Sequence, residues 1–134
     1  MSKNAYLRYH IPGDPIALQR PRFGKHRVWS AQTHIRAQWE TVLSLQHAGL
    51  ALLEGPLELQ VTFFMPIPDK ISERKKIGRQ DKPHIFRPDL SNLIKFVEDC
   101  CTNVIIKDDC IISSIRAEKV YSLEPGTSFG FVEH

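Results

Sequence analysis

Long apolar runs are missing from this sequence. No stretch approaches the roughly 20 consecutive apolar residues that a membrane-spanning helix needs, and the opening residues MSKNAYLRYH lack the apolar core of a secretory leader. A cytoplasmic protein with no membrane partner is therefore expected. Cysteine is scarce as well: the three present, Cys100, Cys101 and Cys110, form neither an even disulfide set nor a CxxC pair, and two are adjacent. They read as reduced packing residues. Internal repeats and low-complexity tracts are absent too. What is present, 134 residues of which 42% are hydrophobic and 25% charged, suits one globular domain over residues 1–134 with a single core.

The net charge of +3 is too small to imply a nucleic-acid partner, so its distribution has to decide. Residues 20–27 carry Arg20, Arg22, Lys25 and Arg27 with no acid. Residues 67–88 carry Lys70, Arg74, Lys75, Lys76, Arg79, Lys82 and Arg87 against Asp69, Glu73 and Asp81, so each segment is net +4. These segments hold 11 of the 18 basic residues, and the rest of the chain is net −5. Such segregation suits a protein that grips phosphates with basic loops, at 13–30 and 67–88, and keeps its acids for another task. Phe23 and Trp29, among the first group, are suited to stack on exposed bases or to anchor the loop.

Residues 6–11 read as a strand. From about Thr33 the pattern becomes helical, with Ile35, Trp39, Val42, Leu43, Leu50 and Leu53 on one face and an end expected before Gly55-Pro56. Residues 57–65 alternate, with Leu57, Leu59, Val61, Phe63 and Met65 on one side, and read as a strand that Pro66 and Pro68 end. The polar segment up to Pro88 reads as a connection about 20 residues long, uncommon in a compact domain unless functional. Leu90, Leu93, Ile94, Val97 and Cys101 form one stripe of a second helix over 90–101, leaving Ser91, Asn92, Lys95, Glu98 and Asp99 on its other side. Residues 115–122 and 128–132 read as closing strands. With no regular βαβ repeat, the expected fold is α+β, a small mixed sheet packed against two main helices.

The acids draw attention at one place. Cleavage of a phosphodiester by metal ions needs hard oxygen ligands, usually carboxylates, and Asp89 before the second helix and Asp108-Asp109 after it lie at element ends where a helix and its return bring residues together. Lys95, on the polar face of that helix, is placed to contact a phosphate or a leaving oxygen. Local chemistry offers plainer roles. Asp89 suits a helix N-cap, Asp108-Asp109 an ordinary turn, and Lys95 a solvated face.

The order of these residues narrows the choice. The string FRPDLSNLIKFVEDCCTNVIIKDD closely resembles the signature of RusA-type Holliday junction resolvases, approximately K/R-P-D-x-D-N-L-x-K, then an acid, a short turn and D-D. The matching positions are Arg87, Pro88, Asp89, Asn92, Leu93, Lys95, Asp99, Asp108 and Asp109, and GDPIALQRPR from Gly13 to Arg22 is similar to the family's early basic strand-loop. The resemblance implies a homodimeric, Mg²⁺-dependent (Mn²⁺ being an alternative) endodeoxyribonuclease that makes paired, symmetric nicks in four-way junctions or related branched DNA. By that resemblance Asp89, Lys95 and Asp109 are catalytic, and Asp89, Asp109, Asp108 and the Ser91 position form the metal site. Arg20, Arg22, Lys25, Arg27, Lys75, Lys76 and Arg87 are the expected DNA contacts. A two-fold dimer suits a junction that must be cut on two like strands.

One position departs from the signature. Ser91 stands where the family has its second aspartate, and a neutral hydroxyl is a poor substitute for a carboxylate beside a divalent cation. Three outcomes follow: Ser91 acts through a bridging water, a nearby acid such as Glu98 or Asp99 compensates, or the protein is a branched-DNA-binding module that cuts poorly or not at all. An interaction domain with no nucleic-acid role is the remaining reading.

Overall fold

The computed structural model describes residues 6–19 and 28–134. The basic stretch Arg20, Arg22, Lys25 and Arg27 lies outside the described residues, as does Phe23; of Trp29 only the backbone is described.

Four strands form one sheet: β1 (Tyr6–Pro12), β2 (Leu57–Pro66), β3 (Ile112–Ser122) and β4 (Gly126–Glu133), in the order β1-β4-β2-β3. β4 pairs antiparallel with both β1 and β2, whereas β2 and β3 run parallel. Parallel neighbours need a crossover, and the chain between them supplies helices α2 (Glu73–Arg79) and α3 (Leu90–Cys101). The remaining helix is α1 (Val28–Gln46). The expected α+β fold with a mixed sheet and two main helices is what forms.

β2 shows why. Its residues alternate between buried and half-buried along the strand, so Leu57, Leu59, Val61, Phe63 and Met65 all face the helices. They meet Tyr9, Ile11, Phe129 and Phe131 on neighbouring strands, Trp39 and Leu43 from α1, and Leu93, Phe96, Val97, Cys100 and Cys101 from α3. Trp39 meets Phe96 edge-on at a centroid distance of 5.0 Å, locking α1 to α3. Cys100 and Cys101 are reduced packing residues in this core, as expected, but Cys110 is exposed in the turn after α3 and does not pack into it. On the outer face Glu58 accepts hydrogen bonds from Gln60 (2.6 Å) and from Ser114 on β3 (3.0 Å).

Several boundaries differ from those expected. α1 begins at Val28, inside the stretch assigned to the basic loop 13–30, and it ends at Gln46, well before Gly55-Pro56. The stop is Gly49, which takes φ +80°, a left-handed conformation that glycine adopts without a Cβ penalty. Leu50 is consequently 51% exposed, while Leu53 is buried in a separate bridge to Ile106. β3 and β4 each start earlier than expected. The 67–88 connection is not structureless: it contains α2, whose N-cap Ser72 accepts a hydrogen bond from the Lys75 backbone N–H and whose first turn carries Glu73.

Candidate active site

Two backbone turns, one at each end of α3, present the acids. Ahead of the helix, residues 81–84 run along the free edge of β3. Asp81 N–H donates to Tyr121 O (2.9 Å), Tyr121 N–H to Lys82 O (2.9 Å) and His84 N–H to Lys119 O (3.1 Å). The pairing covers an edge that would otherwise offer its backbone to another chain. Beyond His84 the backbone lifts away, and Ile85 (81% exposed) and Phe86 (65% exposed) face solvent. Lys119 then reaches from β3 to donate to the carbonyls of Phe86 (2.5 Å) and Pro88 (2.6 Å).

Asp89 follows at the N-cap position of α3, where its backbone carbonyl accepts from Asn92 N–H (3.1 Å) and Leu93 N–H (3.2 Å). Its side chain makes no capping hydrogen bond. The N-cap reading of this aspartate is thus met by its backbone alone, and the carboxylate stands exposed, with the positive end of a helix behind it.

Behind α3 the chain is fixed more firmly. Asn103 takes φ +66°, and Ile105 and Ile106, both fully buried, donate their N–H groups to Cys101 O at 2.9 and 3.1 Å. Leu53 N–H donates to Ile105 O and Lys107 N–H to Leu53 O, pinning this stretch to the segment before β2. Asp108 and Asp109 emerge from that anchor. Asp108 caps the single 3₁₀ turn Asp109–Ile111 by accepting from Cys110 N–H at 3.4 Å, so the turn reading is correct for Asp108. Asp109 begins that turn, and its backbone carbonyl accepts from the Ile112 N–H, so the turn reading holds for its backbone as well.

The two carboxyls titrate in opposite directions. A hydrogen bond from Asp109 holds Asp108 below the usual carboxylate range, with further help from the Cys110 backbone. The same bond raises Asp109, as do partial burial and the negative charges of Asp108 and Asp99, while Lys95 opposes the rise. Glu98 is raised chiefly by burial and also by Asp109 and Asp99, again with Lys95 working the other way. Lys95, Glu98, Asp99 and Asp109 therefore share one electrostatic neighbourhood, where carboxylates outnumber the lysine. Lys95 itself is exposed and makes no ion pair among the described residues.

Among the described residues, no three acid, histidine or cysteine side chains converge closely enough to hold a metal by themselves. Ser91 is exposed in the first turn of α3. Glu98 and Asp99, weighed from sequence as compensating acids, share the electrostatic neighbourhood of Asp109.

Of the expected DNA contacts, Lys75 and Arg87 are exposed, whereas Lys76 is paired with Glu73 at 3.5 Å and largely covered. The chain enters the basic stretch 20–27 from a fixed point. Leu18 N–H donates to Asn92 O (2.9 Å), and the Gln32 side chain brackets the segment, accepting from Gln19 N–H and donating to Ala17 O, both at 2.9 Å. The entry to that stretch is thereby tied to the turn of α3 that carries Ser91.

An α+β domain with acids and a lysine on the solvent side and at the two ends of α3, and with a basic helix α2 in the same crossover, has the makings of a phosphodiester-processing domain. The sequence profile of the family described as Endodeoxyribonuclease RusA matches residues 12–129, and the chain belongs to that family. It is also similar to the uncharacterized protein YqaN of Bacillus subtilis (strain 168), with 29% identity over 128 residues, covering 89% of this chain and 90% of that protein. No helix among the described residues is long and apolar enough to cross a membrane.

Proposed function

We propose that this protein is a divalent-metal-dependent endodeoxyribonuclease that resolves four-way junctions or related branched DNA by paired, symmetric nicks, acting as a homodimer. Membership of an endodeoxyribonuclease family supports the nuclease class. The observation that carries the reading to this site is the uncapped carboxylate of Asp89 at the head of α3. A helix N-terminus rewards capping by about 1 kcal/mol, so an aspartate that forgoes it is available for other work.

The donor set fits a hard cation such as Mg²⁺ or Mn²⁺. Mg²⁺ sites commonly use one or two carboxylates and complete their shell with water and substrate phosphate, so three converging acids are not required. Asp89 and Asp109 would hold the ion, which when bound supplies a hydroxide nucleophile and neutralises charge on the phosphate. Asp108, occupied by the turn and by its bond with Asp109, orients its neighbour. Asp109 must release its proton to serve as a ligand, and Lys95 favours that release. The exposed ammonium of Lys95 faces the phosphate or leaving oxygen. Ser91 contributes at most a neutral oxygen, with Glu98 and Asp99 supplying negative charge nearby. Lys75, Arg87 and the basic stretch at Arg20, Arg22, Lys25 and Arg27 grip the DNA arms, with Lys76 contributing less.

Ser91 favours a second reading, in which the chain binds branched DNA and cuts it weakly or not at all. Incubation of a labelled synthetic four-way junction with Mg²⁺ and with Mn²⁺ separates the two. Nicks made by the wild type support the nuclease; tight, salt-sensitive, metal-independent binding, with cuts only after Ser91→Asp, supports the binding module.

A further inference from the structure

We propose that Lys119 is a positioning residue for the active site, holding the backbone on both sides of Arg87 so that Arg87 and Asp89 are presented in a fixed arrangement. The inference rests on the nuclease reading of Asp89. Its basis is geometric. From Asp81 to His84 the chain is tied to β3 by backbone hydrogen bonds, and from Leu90 onward by the helix. Residues 85–88 between them make no backbone–backbone hydrogen bond among the described residues. Their polar tie to the body of the protein, among the described residues, is the Lys119 ammonium, which spans the carbonyls of Phe86 and Pro88 at 2.5 and 2.6 Å.

Among the described residues, these two carbonyls are the hydrogen-bond partners of the Lys119 ammonium. It forms no ion pair among the described residues, although a lysine on an exposed strand edge ordinarily points into water. The carbonyls it holds flank Arg87, an exposed residue, and the second belongs to the residue that hands the chain to Asp89. An ammonium donating to two carbonyls fixes the peptide planes between them and so limits where the next side chain can point. The wall beside it is aromatic: the His84 ring packs on Tyr121 at 4.9 Å and on Phe86 at 6.2 Å. This arrangement parallels the supporting hydrogen bonds that orient metal ligands generally, whose loss costs about 10–100-fold in metal affinity or activity.

The test compares wild type with Lys119→Met, which keeps the stem and removes the donors, and with Lys119→Arg, which restores a cationic donor. Junction cleavage is followed across a Mg²⁺ titration, with KM and kcat resolved at each step. Tyr9→Phe, a core change remote from the site, controls for simple loss of stability. The expected result is a Mg²⁺ requirement raised by about 10-fold in Lys119→Met, substantially rescued in Lys119→Arg and unmoved in Tyr9→Phe. If the wild type cleaves and Lys119→Met shows the same Mg²⁺ requirement and kcat, the positioning role is overturned while the nuclease reading stands. If the wild type does not cleave, the nuclease reading fails separately, and calorimetric Mn²⁺ binding decides: weaker binding in Lys119→Met than in wild type supports the role, and equal or absent binding overturns it.

Discussion

Asp108 accepts from the Cys110 backbone N–H at 3.4 Å, closing the turn that Asp109 begins. Interaction between the two adjacent carboxyls, with the Cys110 backbone, burial and Asp99 adding to it, lowers the proton affinity of Asp108 and raises that of Asp109. The consequence is a division of labour between consecutive aspartates. Asp108 is committed to closing a turn, and Asp109 is the carboxyl to which the proposed mechanism assigns the cation. Asp109→Asn and Asp89→Asn should each lower junction cleavage by about 100-fold or more. Both positions are exposed, so stability should move by no more than about 0.5 kcal/mol. Cleavage rates measured alongside urea denaturation check both halves of this expectation.

Glu98 gives a prediction in pH. Burial, followed by the charges of Asp109 and Asp99, raises its affinity for a proton in the folded protein. The folded state therefore favours the neutral acid. That contribution is fully present below the pKa of the unfolded chain and is lost as pH rises through the higher folded value. Glu98→Gln should accordingly be more stable than wild type at neutral pH, with the difference closing toward acid. Melting temperatures of the two proteins between pH 3 and pH 8 test the sign; a Glu98→Gln protein less stable than wild type at pH 7 contradicts it.

A buried pair tests the core. The Tyr9 hydroxyl lies 2.6 Å from His47 Nδ1, and His47 Nε2 lies 2.9 Å from Ala51 O. The pattern fits a neutral imidazole donating to Ala51 and accepting from the phenol. Tyr9→Phe strands the histidine nitrogen and should cost about 1–3 kcal/mol in denaturant unfolding. Burial pushes the Tyr9 phenol up to about 12 from its ordinary 10.0. Stability from this group is therefore complete below pH 10 and declines as pH rises toward 12, and phenolate absorbance should show a late-titrating tyrosine that Tyr9→Phe removes.

The basic helix should speak through salt. Each lysine that neutralises a phosphate adds about one to the slope of log affinity against log salt. Lys75→Ala should reduce the slope for junction binding by about that amount, and Lys76→Ala by less, because Glu73 already holds Lys76. Equal reductions for the two would show that the Lys76–Glu73 pair opens when DNA binds.

Most of the site was legible in the sequence because it is local: Arg87 to Asp109 is one helix with a turn at each end, and its order alone carries the resemblance. β2 was legible through period-two alternation and α3 through its stripe. What escaped depended on weak local signals or on distant partners. Gly49 was the stop for α1, but Leu50 and Leu53 continued the helical spacing beyond it and masked the end. Ser72 with Glu73 after it was a start signal for α2, hidden in a segment rich in charge and proline. Lys119 reaches residues more than thirty positions away, and nothing in its own neighbourhood distinguishes it from a solvated strand lysine. The division between Asp108 and Asp109 depends on which carboxyl turns toward Cys110, which composition cannot reveal.

Cleavage of a synthetic four-way junction by the purified full-length protein in Mg²⁺ tests the central claim most directly. The account predicts symmetric nicks in one pair of like strands, abolished by chelation and by Asp89→Asn or Asp109→Asn, and strengthened by Ser91→Asp. Tight junction binding with no nicks in Mg²⁺ or Mn²⁺ after long incubation would contradict it.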